Sequence, residues 1–282
     1  MRAEQISDPV AGHGEGPVWW PGWGGLRWTD MFAGDVLTLD PDDGTVTRQH
    51  VGGFLAAFRP RAGGGMVAAL GRGFALVDAD GTVRELGDLW ADHTVRMNDG
   101  GCGPDGRFYC GSMSADGSPG AGSLYRLDLD LSTHRVLSGV TTSNGLAWSP
   151  DGTAAYYVDS ATRRVDRFDH VDGLLVGRRP LAVMPEGAGV PDGISVDAEG
   201  HVWVAMWAGS QVRRYAPDGR LDARVDLPVS RVSACTFGGP ALDQLFVTTS
   251  RRGVDPADEP NAGALFRVAV GVRGLPVVPF AG

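Results

Sequence analysis

Four short motifs along the chain place a carboxylate or amide side chain beside a glycine, directly before an apolar segment. They are Glu15-Gly16, Asn98-Asp99-Gly100, Asn144-Gly145 and Asp192-Gly193. The side chains of Glu15, Asn144 and Asp192 offer only oxygen ligands, which hard divalent cations prefer. Two carboxylates brought together without a cation would repel each other, and one would keep its proton. These residue types therefore favour one divalent metal ion bound by the three side chains.

The ligand chemistry narrows the choice of metal. All-oxygen ligation suits Ca²⁺, Mg²⁺ or Mn²⁺, and we expect Ca²⁺. Zn²⁺ is an alternative, although it usually takes His or Cys ligands. Each motif alone also has a simpler interpretation, because Asn-Gly and Asp-Gly are common tight-turn dipeptides. The repetition of the motif in equivalent places favours a site over unrelated turns.

A basic side chain lies close in sequence to one of these motifs. Arg96 and Asn98 are separated by one residue in a segment that we predict to be extended, so both side chains should lie on the same side of it. An arginine beside a metal suits an anionic or polyhydroxylated ligand and could stabilise a developing oxyanion. The alternative is that Arg96 is a charge on the protein surface.

The segments that would bring these side chains together form a repeating pattern. Short apolar runs alternate with turns containing Gly or Asp, and units of four runs recur at roughly 40 to 50 residues, which is typical of a β-propeller. The runs of the first unit are Pro17–Trp20, Leu26–Met31, Val36–Leu39 and Thr45–His50. The pattern predicts an all-β protein, a six-bladed β-propeller with four antiparallel strands per blade.

We expect residues 1–282 to form a single propeller domain, with either Met1–Gly14 or Leu275–Gly282 supplying the strand that closes the ring. The first strand of each blade lines the central channel of a propeller. The four polar motifs fall just before predicted first strands. Their side chains should therefore meet at one mouth of the channel.

The amino-acid composition limits the classes of protein to which the chain can belong. The 43 Gly and 18 Pro residues lie between strand-like runs, which indicates turns rather than disorder. The net charge of −9 argues against a nucleic-acid or anionic-membrane partner, because both need a basic surface. The sequence shows no apolar run of membrane-spanning length and no apolar signal-peptide core in Met1–Gly14. The three cysteines form no CxxC motif, so we expect reduced thiols and a cytoplasmic location.

Several longer motifs give the chain a resemblance to a known family. They are Gly-Glu-Gly-Pro at 14–17, Arg-Met-Asn-Asp-Gly at 96–100, Pro-Asp-Gly-Arg-Phe at 104–108, Ser-Asn-Gly-Leu-Ala-Trp-Ser-Pro-Asp-Gly at 143–152, Pro-Asp-Gly-Ile-Ser-Val-Asp-Ala-Glu-Gly at 191–200 and Phe-Gly-Gly at 237–239. In this order the motifs resemble those of the SMP-30/gluconolactonase/luciferin-regenerating-enzyme family of six-bladed propeller lactonases. The resemblance implies metal binding by Glu15, Asn144 and Asp192, and substrate contacts by Arg96, Asn98 and Asp116. The chain departs from the family pattern at Gly101-Cys102-Gly103, where Lys and Asp are common, and in a short Gly-rich loop after Met113.

The function that the resemblance implies is metal-dependent hydrolysis of a sugar-acid lactone to the aldonic acid. In the expected mechanism the metal is a Lewis acid at the lactone carbonyl, and Asp192, or a water beside it, is the general base. Arg96 would stabilise the oxyanion, while Asn98 and Asp116 would orient ring hydroxyl groups. Two alternatives use the same residues: action on another lactone or ester, such as a specialised metabolite or an organophosphate, and a non-catalytic calcium-binding propeller. We expect a small-molecule lactone as the partner, no nucleic acid or membrane, and a monomer or weak homodimer.

Overall fold

Turns rich in glycine and aspartate divide the chain into 24 strands, which pair as six four-stranded antiparallel sheets. The structure is a computed structural model that describes residues 1–282. The sheets follow one another along the chain as the blades of a propeller, so the predicted six-bladed fold with four strands per blade is confirmed. The strands of blades 1 to 3 are β2 (Gly14–Trp20), β3 (Gly25–Asp30), β4 (Asp35–Leu39), β5 (Val46–His50), β6 (Leu55–Pro60), β7 (Met66–Leu70), β8 (Gly73–Val77), β9 (Val83–Asp88), β10 (Val95–Cys102), β11 (Phe108–Ser114), β12 (Gly122–Leu127) and β13 (Thr133–Val140).

Blades 4 and 5 repeat this arrangement, and blade 6 combines both ends of the chain. Their strands are β14 (Ser143–Trp148), β15 (Ala154–Asp159), β16 (Arg164–Val171), β17 (Leu174–Val183), β18 (Val190–Val196), β19 (Val202–Trp207), β20 (Gln211–Tyr215), β21 (Leu221–Asp226), β22 (Val232–Gly238), β23 (Gln244–Thr249), β24 (Phe266–Ala269) and the N-terminal β1 (Glu4–Gln5). The helical segments are two 3₁₀ turns, Pro21–Trp23 and Ser160–Thr162. The chain has no helix long and apolar enough to cross a membrane.

The N-terminal segment closes the ring. Strand β1 pairs antiparallel with β24, with Glu4 opposite Arg267, and becomes the outermost strand of blade 6. The C-terminal segment instead crosses the side of the channel where the innermost strands end. It is held there by a backbone hydrogen bond from Phe280 to Pro60, and the Phe280 ring is fully buried between blades 2 and 3.

Apolar clusters fill the spaces between blades, one between each neighbouring pair around the ring. Alternating residues of each strand point to opposite faces of its sheet, so both faces of a blade can pack on neighbours. Large aromatic side chains such as Trp28, Trp203 and Tyr157 are fully buried in these clusters. Packing on both sides fixes each innermost strand relative to the next, and this rigidity positions the side chains that point into the channel.

One detail of the predicted motifs is wrong: they are not turns before the first strands. Glu15, Asn98, Asn144 and Asp192 lie inside the innermost strands β2, β10, β14 and β18. Each strand shifts register at the motif, for example between Ser143 and Leu146 in β14 and between Pro191 and Ile194 in β18. A β-bulge of this kind leaves a residue without a cross-strand partner and re-aims its side chain. Polar residue plus Gly therefore marks a bulge here.

The glycines of the motifs allow adjacent innermost strands to approach closely. A Cβ atom on Gly145 would lie 2.7 Å from the Asp192 carbonyl oxygen, and one on Gly193 would lie 2.8 Å from the Cα atom of Ala234. Any side chain at these positions would push the neighbouring strand away. The tight spacing brings the polar side chains of blades 4 and 5 into one cluster.

Candidate metal and substrate site

Five of the side chains singled out from the sequence meet at the channel mouth formed by the N-terminal halves of the innermost strands. Glu15, Asn98, Asn144 and Asp192 are all buried, and Arg96 is partly buried. The Asn98 amide donates to Asn144 Oδ1 at 2.7 Å, which joins blades 3 and 4. The carboxylates of Glu15 and Asp192 are close enough for the charge of Asp192 to raise the pKa of Glu15.

A directed series of hydrogen bonds crosses three blades at this mouth. Arg96 donates to Asn98 Oδ1 at 2.7 Å, and Asn144 Nδ2 donates to Ser160 Oγ at 2.7 Å. The Ser160 hydroxyl in turn donates to the Pro191 carbonyl at 2.6 Å, next to Asp192. The side-chain nitrogens of Asn98 and Asn144 both donate hydrogen bonds, so the orientation of the Asn144 oxygen towards the mouth is fixed. An amide oxygen has two lone pairs, so Asn144 Oδ1 can accept from Asn98 and still bind a cation.

Three buried carboxylates lie in this part of the channel. Burial, followed by the charges of Asp192 and Asp99, raises the pKa of Glu15 well above its ordinary value. Burial and the charge of Asp99 likewise raise the pKa of Asp192. Asp99 itself has a raised pKa because of burial, opposed by the cation of Arg59. Each raised pKa disfavours the charged form, so full ionisation of the three carboxyl groups is unfavourable unless a cation compensates them.

The donor set fits a hard divalent cation. Glu15 accepts one hydrogen bond, from the Gly16 amide at 3.1 Å, and the Asp192 carboxylate accepts none. Neither carboxylate forms a salt bridge, whereas Asp166 and Asp197 in the same interior do. Two free carboxylates and one oriented amide oxygen are ligands of the kind that Ca²⁺ takes. Glu15, Asn144 and Asp192 could therefore hold such an ion.

Arg96 is held over the mouth by several weak contacts. Its guanidinium carbon lies 5.0 Å from the ring centroid of Phe54 and 5.4 Å from that of Phe32. Burial, and then the charge of Arg252, lowers the pKa of Arg96 to about 10. The side chain remains a cation at neutral pH, as electrostatic stabilisation of an oxyanion requires.

Two aspartates that the sequence analysis missed hold the site-bearing strands in place. The carboxylate of Asp30 accepts from the amides of Gly12 and His13, just before Glu15. The carboxylate of Asp159 accepts from the amides of Thr141 and Thr142, just before Asn144. The separations in sequence, 18 and 17 residues, are the same in both blades. A comparison of blades at equivalent positions could have found this pair.

The predicted substrate-binding acid Asp116 lies apart from the cluster. It follows β11, on the same side of the propeller as the mouth, and is exposed. Its carboxylate accepts from the hydroxyls of Ser114 and Ser118 at 2.5 and 2.7 Å, and these bonds lower its pKa to about 2. The structure shows no contact between Asp116 and the buried site residues.

A cavity at the opposite mouth does not contain this cluster. Its volume is about 480 Å³, and it is lined by the C-terminal ends of innermost strands, including Thr236, and by the segment Leu275–Val278. The charged side chains on its wall are Arg59 and Asp151. Without paired carboxylates this cavity lacks the chemistry that the sequence predicts, so the mouth that holds Glu15 and Asp192 is the better candidate.

A second group of acids also fails as a metal centre. Donor atoms of Asp197, Glu199 and His201 lie within 4.8 Å of one another in blade 5. The guanidinium of Arg214 already occupies this group, at 2.8 Å from Asp197 and 2.5 Å from Glu199. Arg214 also contacts Asp222 at 2.6 Å, so this cluster is an ion-pair network around one guanidinium that links strands of the blade.

All three cysteines are free, as expected. Burial raises the pKa of Cys102 and of Cys235 to about 12, and it also raises the pKa of Cys110. The thiols therefore stay protonated at neutral pH, and none is suited to act as a nucleophile.

Comparison with known proteins identifies the family of the chain. The sequence model of the SMP-30/Gluconolactonase/LRE-like region matches residues 13–251. The chain belongs to this family. A pentonolactonase of Haloferax volcanii is 35% identical over 285 residues, which cover 98% of this chain and 97% of that protein.

Solved structures show the same fold. A calcium-binding protein, regucalcin, from Agrobacterium tumefaciens has a TM-score of 0.93 and 28% identity, with 99% of this chain and 97% of that chain covered. A gluconolactonase from Xanthomonas campestris has a TM-score of 0.77 and 28% identity, with 93% and 87% covered. The family membership of the whole propeller is shown, and the roles of individual site residues remain predictions.

Proposed function

We propose that the protein is a metal-dependent lactonase that hydrolyses a sugar-acid lactone to the aldonic acid. The observation that carries the proposal is the pair of buried carboxylates, Glu15 and Asp192, at one channel mouth without a salt-bridge partner. The pentonolactonase and the gluconolactonase among the similar proteins support a lactone as substrate. The calcium-binding relative supports Ca²⁺ as the ion, with Mg²⁺, Mn²⁺ and Zn²⁺ as alternatives.

In this proposal Glu15, Asn144 and Asp192 hold the cation. When bound, the ion supplies Lewis-acid polarisation of the lactone carbonyl. Asn98 positions Asn144 through the 2.7 Å hydrogen bond to its oxygen, and Ser160 holds the other end of the same amide. These contacts keep the ligand oxygen aimed at the mouth before substrate arrives, which reduces the reorganisation needed during the reaction.

The protein groups then carry the proton and the developing charge. A water oxygen bonds to the lactone carbonyl carbon while Asp192 accepts the water proton as general base. The guanidinium of Arg96 faces the negative charge that develops on the carbonyl oxygen. The acyl carbon–oxygen bond of the ring breaks, and the ring oxygen takes the proton from Asp192 to become the hydroxyl group of the aldonic acid. We assign to Asp116 and Asn98 the orientation of ring hydroxyl groups.

The test is proton release from a panel of pentono- and hexonolactones, with chelator-treated protein and after Ca²⁺, Mg²⁺, Mn²⁺ or Zn²⁺ is restored. We expect turnover only with metal, and its loss in Asp192→Asn. The matched control is Asp218→Asn, which removes the same charge from an exposed turn in the same blade. Turnover by the chelated protein, or an Asp192→Asn variant as active as the control, would contradict the proposal. Tight metal binding without hydrolysis of any lactone would favour the non-catalytic alternative.

A further inference from the structure

A pair of arginines shares one aromatic ring at the rim of the candidate site. Arg252 lies at the start of the long connection between β23 and β24, and its guanidinium carbon is 3.9 Å from the ring centroid of Phe32. The guanidinium carbon of Arg96 is 5.4 Å from the same centroid. Phe32 and Arg252 both follow the second strand of their blades, so they lie on the same side of the propeller as the channel mouth that contains Glu15 and Asp192.

Neither arginine is neutralised by a carboxylate. Eleven of the 25 arginines form salt bridges, and Arg96 and Arg252 are among the fourteen that do not. Arg252 is exposed, and its guanidinium has no hydrogen-bond partner in the protein. In a chain with a net charge of −9, two like charges left unpaired on one ring have a cost that an anionic ligand would remove.

The aromatic row beside Phe32 extends the same feature. The His13 ring lies 5.4 Å from Phe32 and 5.7 Å from Trp207, and Arg231 lies 5.1 Å from the Trp207 centroid. Arg231 also forms no salt bridge, and its one side-chain hydrogen bond is to the Gly253 carbonyl at 3.4 Å. The rim on this side thus has a row of three tilted aromatic rings, Phe32, His13 and Trp207, with guanidinium groups at both ends.

We propose that this rim selects lactones that carry a second anionic group, a carboxylate or a phosphate, at the end of the sugar away from the lactone carbonyl. Arg252, over the Phe32 ring, binds that group through the planar fork of its guanidinium, while Arg96 stays with the carbonyl end of the substrate. The inference rests on the proposed function for the place of the carbonyl, which is beside Glu15 and Asp192. The sugar then spans from the metal ligands to Phe32, with its anionic end at the rim.

A purely structural role of Arg252 would have different consequences. Stacking on Phe32 would tie the connection between β23 and β24 to blade 1 and stabilise the fold slightly. Removing it would then change the thermal stability and leave the preference among ligands as it was. A binding role changes the preference itself, so the ratio of two affinities separates the two interpretations.

The experiment measures binding of reaction products to the Ca²⁺-loaded protein by calorimetry, which does not depend on turnover. The ligands are an aldonate, the aldarate of the same sugar with a distal carboxylate, and the corresponding 6-phosphoaldonate. We expect one of the doubly anionic ligands to bind at least about tenfold more tightly than the aldonate, as for a charge-assisted bidentate contact. The tighter of the two identifies carboxylate or phosphate as the distal group.

Variants assign the preference to Arg252. Arg252→Gln should reduce the ratio of affinities to near one, and Arg252→Lys, which keeps the charge without the fork, should retain part of it. The control is Arg135→Gln, which removes the same charge from the outer strand of blade 3 and should keep the wild-type ratio. Equal affinity for the three ligands in the wild type, or an unchanged ratio in Arg252→Gln, would overturn the inference.

The two proposals fail separately. If neutral aldonolactones are hydrolysed well and neither doubly anionic product is preferred, the lactonase function stands and the anionic substrate class is wrong. If a doubly anionic ligand is preferred through Arg252 while no lactone of any charge is hydrolysed, the rim binds anions and the lactonase proposal is wrong.

Discussion

Replacing Ser160 by alanine tests whether the orientation of Asn144 supports a metal site. The Ser160 hydroxyl accepts from Asn144 at 2.7 Å and donates to the Pro191 carbonyl at 2.6 Å, and all three groups are buried. Its removal leaves one donor and one acceptor without partners, at a cost of about 1–3 kcal/mol each in the free energy of unfolding. The freed amide of Asn144 can then rotate its oxygen away from the mouth.

The loss of this support should weaken metal binding. Removal of a group that orients a metal ligand typically lowers affinity about 10- to 100-fold, which corresponds to about 1.4–2.7 kcal/mol. Competition with a chromophoric calcium chelator measures the affinity, and urea denaturation of the metal-free protein measures the stability. Both quantities are needed, because a variant that is only less stable would still bind the ion normally once folded.

Ser143→Ala provides the matched control. Ser143 is the buried neighbour of Asn144, and its hydroxyl contacts the Tyr157 hydroxyl at 2.6 Å and no candidate ligand. Its removal should lower stability by a similar amount and leave calcium affinity unchanged. If Ser160→Ala binds calcium as tightly as the wild type, or if both variants lose affinity equally, Ser160 does not position a metal ligand.

Four further outcomes follow from the same contacts. Asp159→Asn and Asp30→Asn should each lower the free energy of unfolding by about 1–3 kcal/mol in urea denaturation, because one backbone amide loses its acceptor; a change below about 0.5 kcal/mol would show that the repeated contact is dispensable. Gly145→Ala should lose about 1–3 kcal/mol and most of its calcium affinity, since its Cβ would meet the Asp192 carbonyl at 2.7 Å, whereas Gly53→Ala, with open space around it, should change neither. The thiols of Cys110 and Cys235 should react with Ellman's reagent at pH 8 only after unfolding, because both are buried and their raised pKa values keep them protonated well above that pH; rapid labelling of either in the native protein would contradict their burial. Calcium at one hundred times its Kd should add about 2.7 kcal/mol to the free energy of unfolding, and calorimetry that shows no rise in Tm would count against an ion bound only by the folded state.

The sequence was sufficient for the blades because their signal is local. The predicted runs of the first blade match its four strands to within a few residues. Turn residues and strand residues differ in type, so the four-run period is visible without knowing which strands pair. Convergence of Glu15, Asn144 and Asp192 then follows from the ring geometry alone.

The parts that escaped prediction depend on register between strands. A polar residue followed by Gly suggests a turn when only the sequence is considered. The pairing of β14 with β15 is needed to show that Asn144 lies in a bulge. Ser160 belongs to a 3₁₀ turn, and its contact with Asn144 arises because the second strand of blade 4 returns to the same mouth. Asp99 reads as part of the Asn98 motif, but its burial beside the other carboxylates depends on how the innermost strands crowd around the axis.

Charges of opposite sign follow one another along the channel. Arg252 and Arg96 lie at the rim, and the carboxylates of Glu15 and Asp192 come next. The charge of Arg59, which lines the opposite mouth, opposes the rise in the pKa of Asp99. The charge of Arg96 opposes the rise in the pKa of Glu15 without cancelling it, and neither rim arginine forms a salt bridge with Glu15 or Asp192. In the proposed function a small cation binds at the carboxylates, and Arg252 at the rim remains free for an anion. A lactone with its carbonyl at the carboxylates and an anionic group at the rim matches this order of charges. A neutral aldonolactone would contact only the carboxylate end of the site.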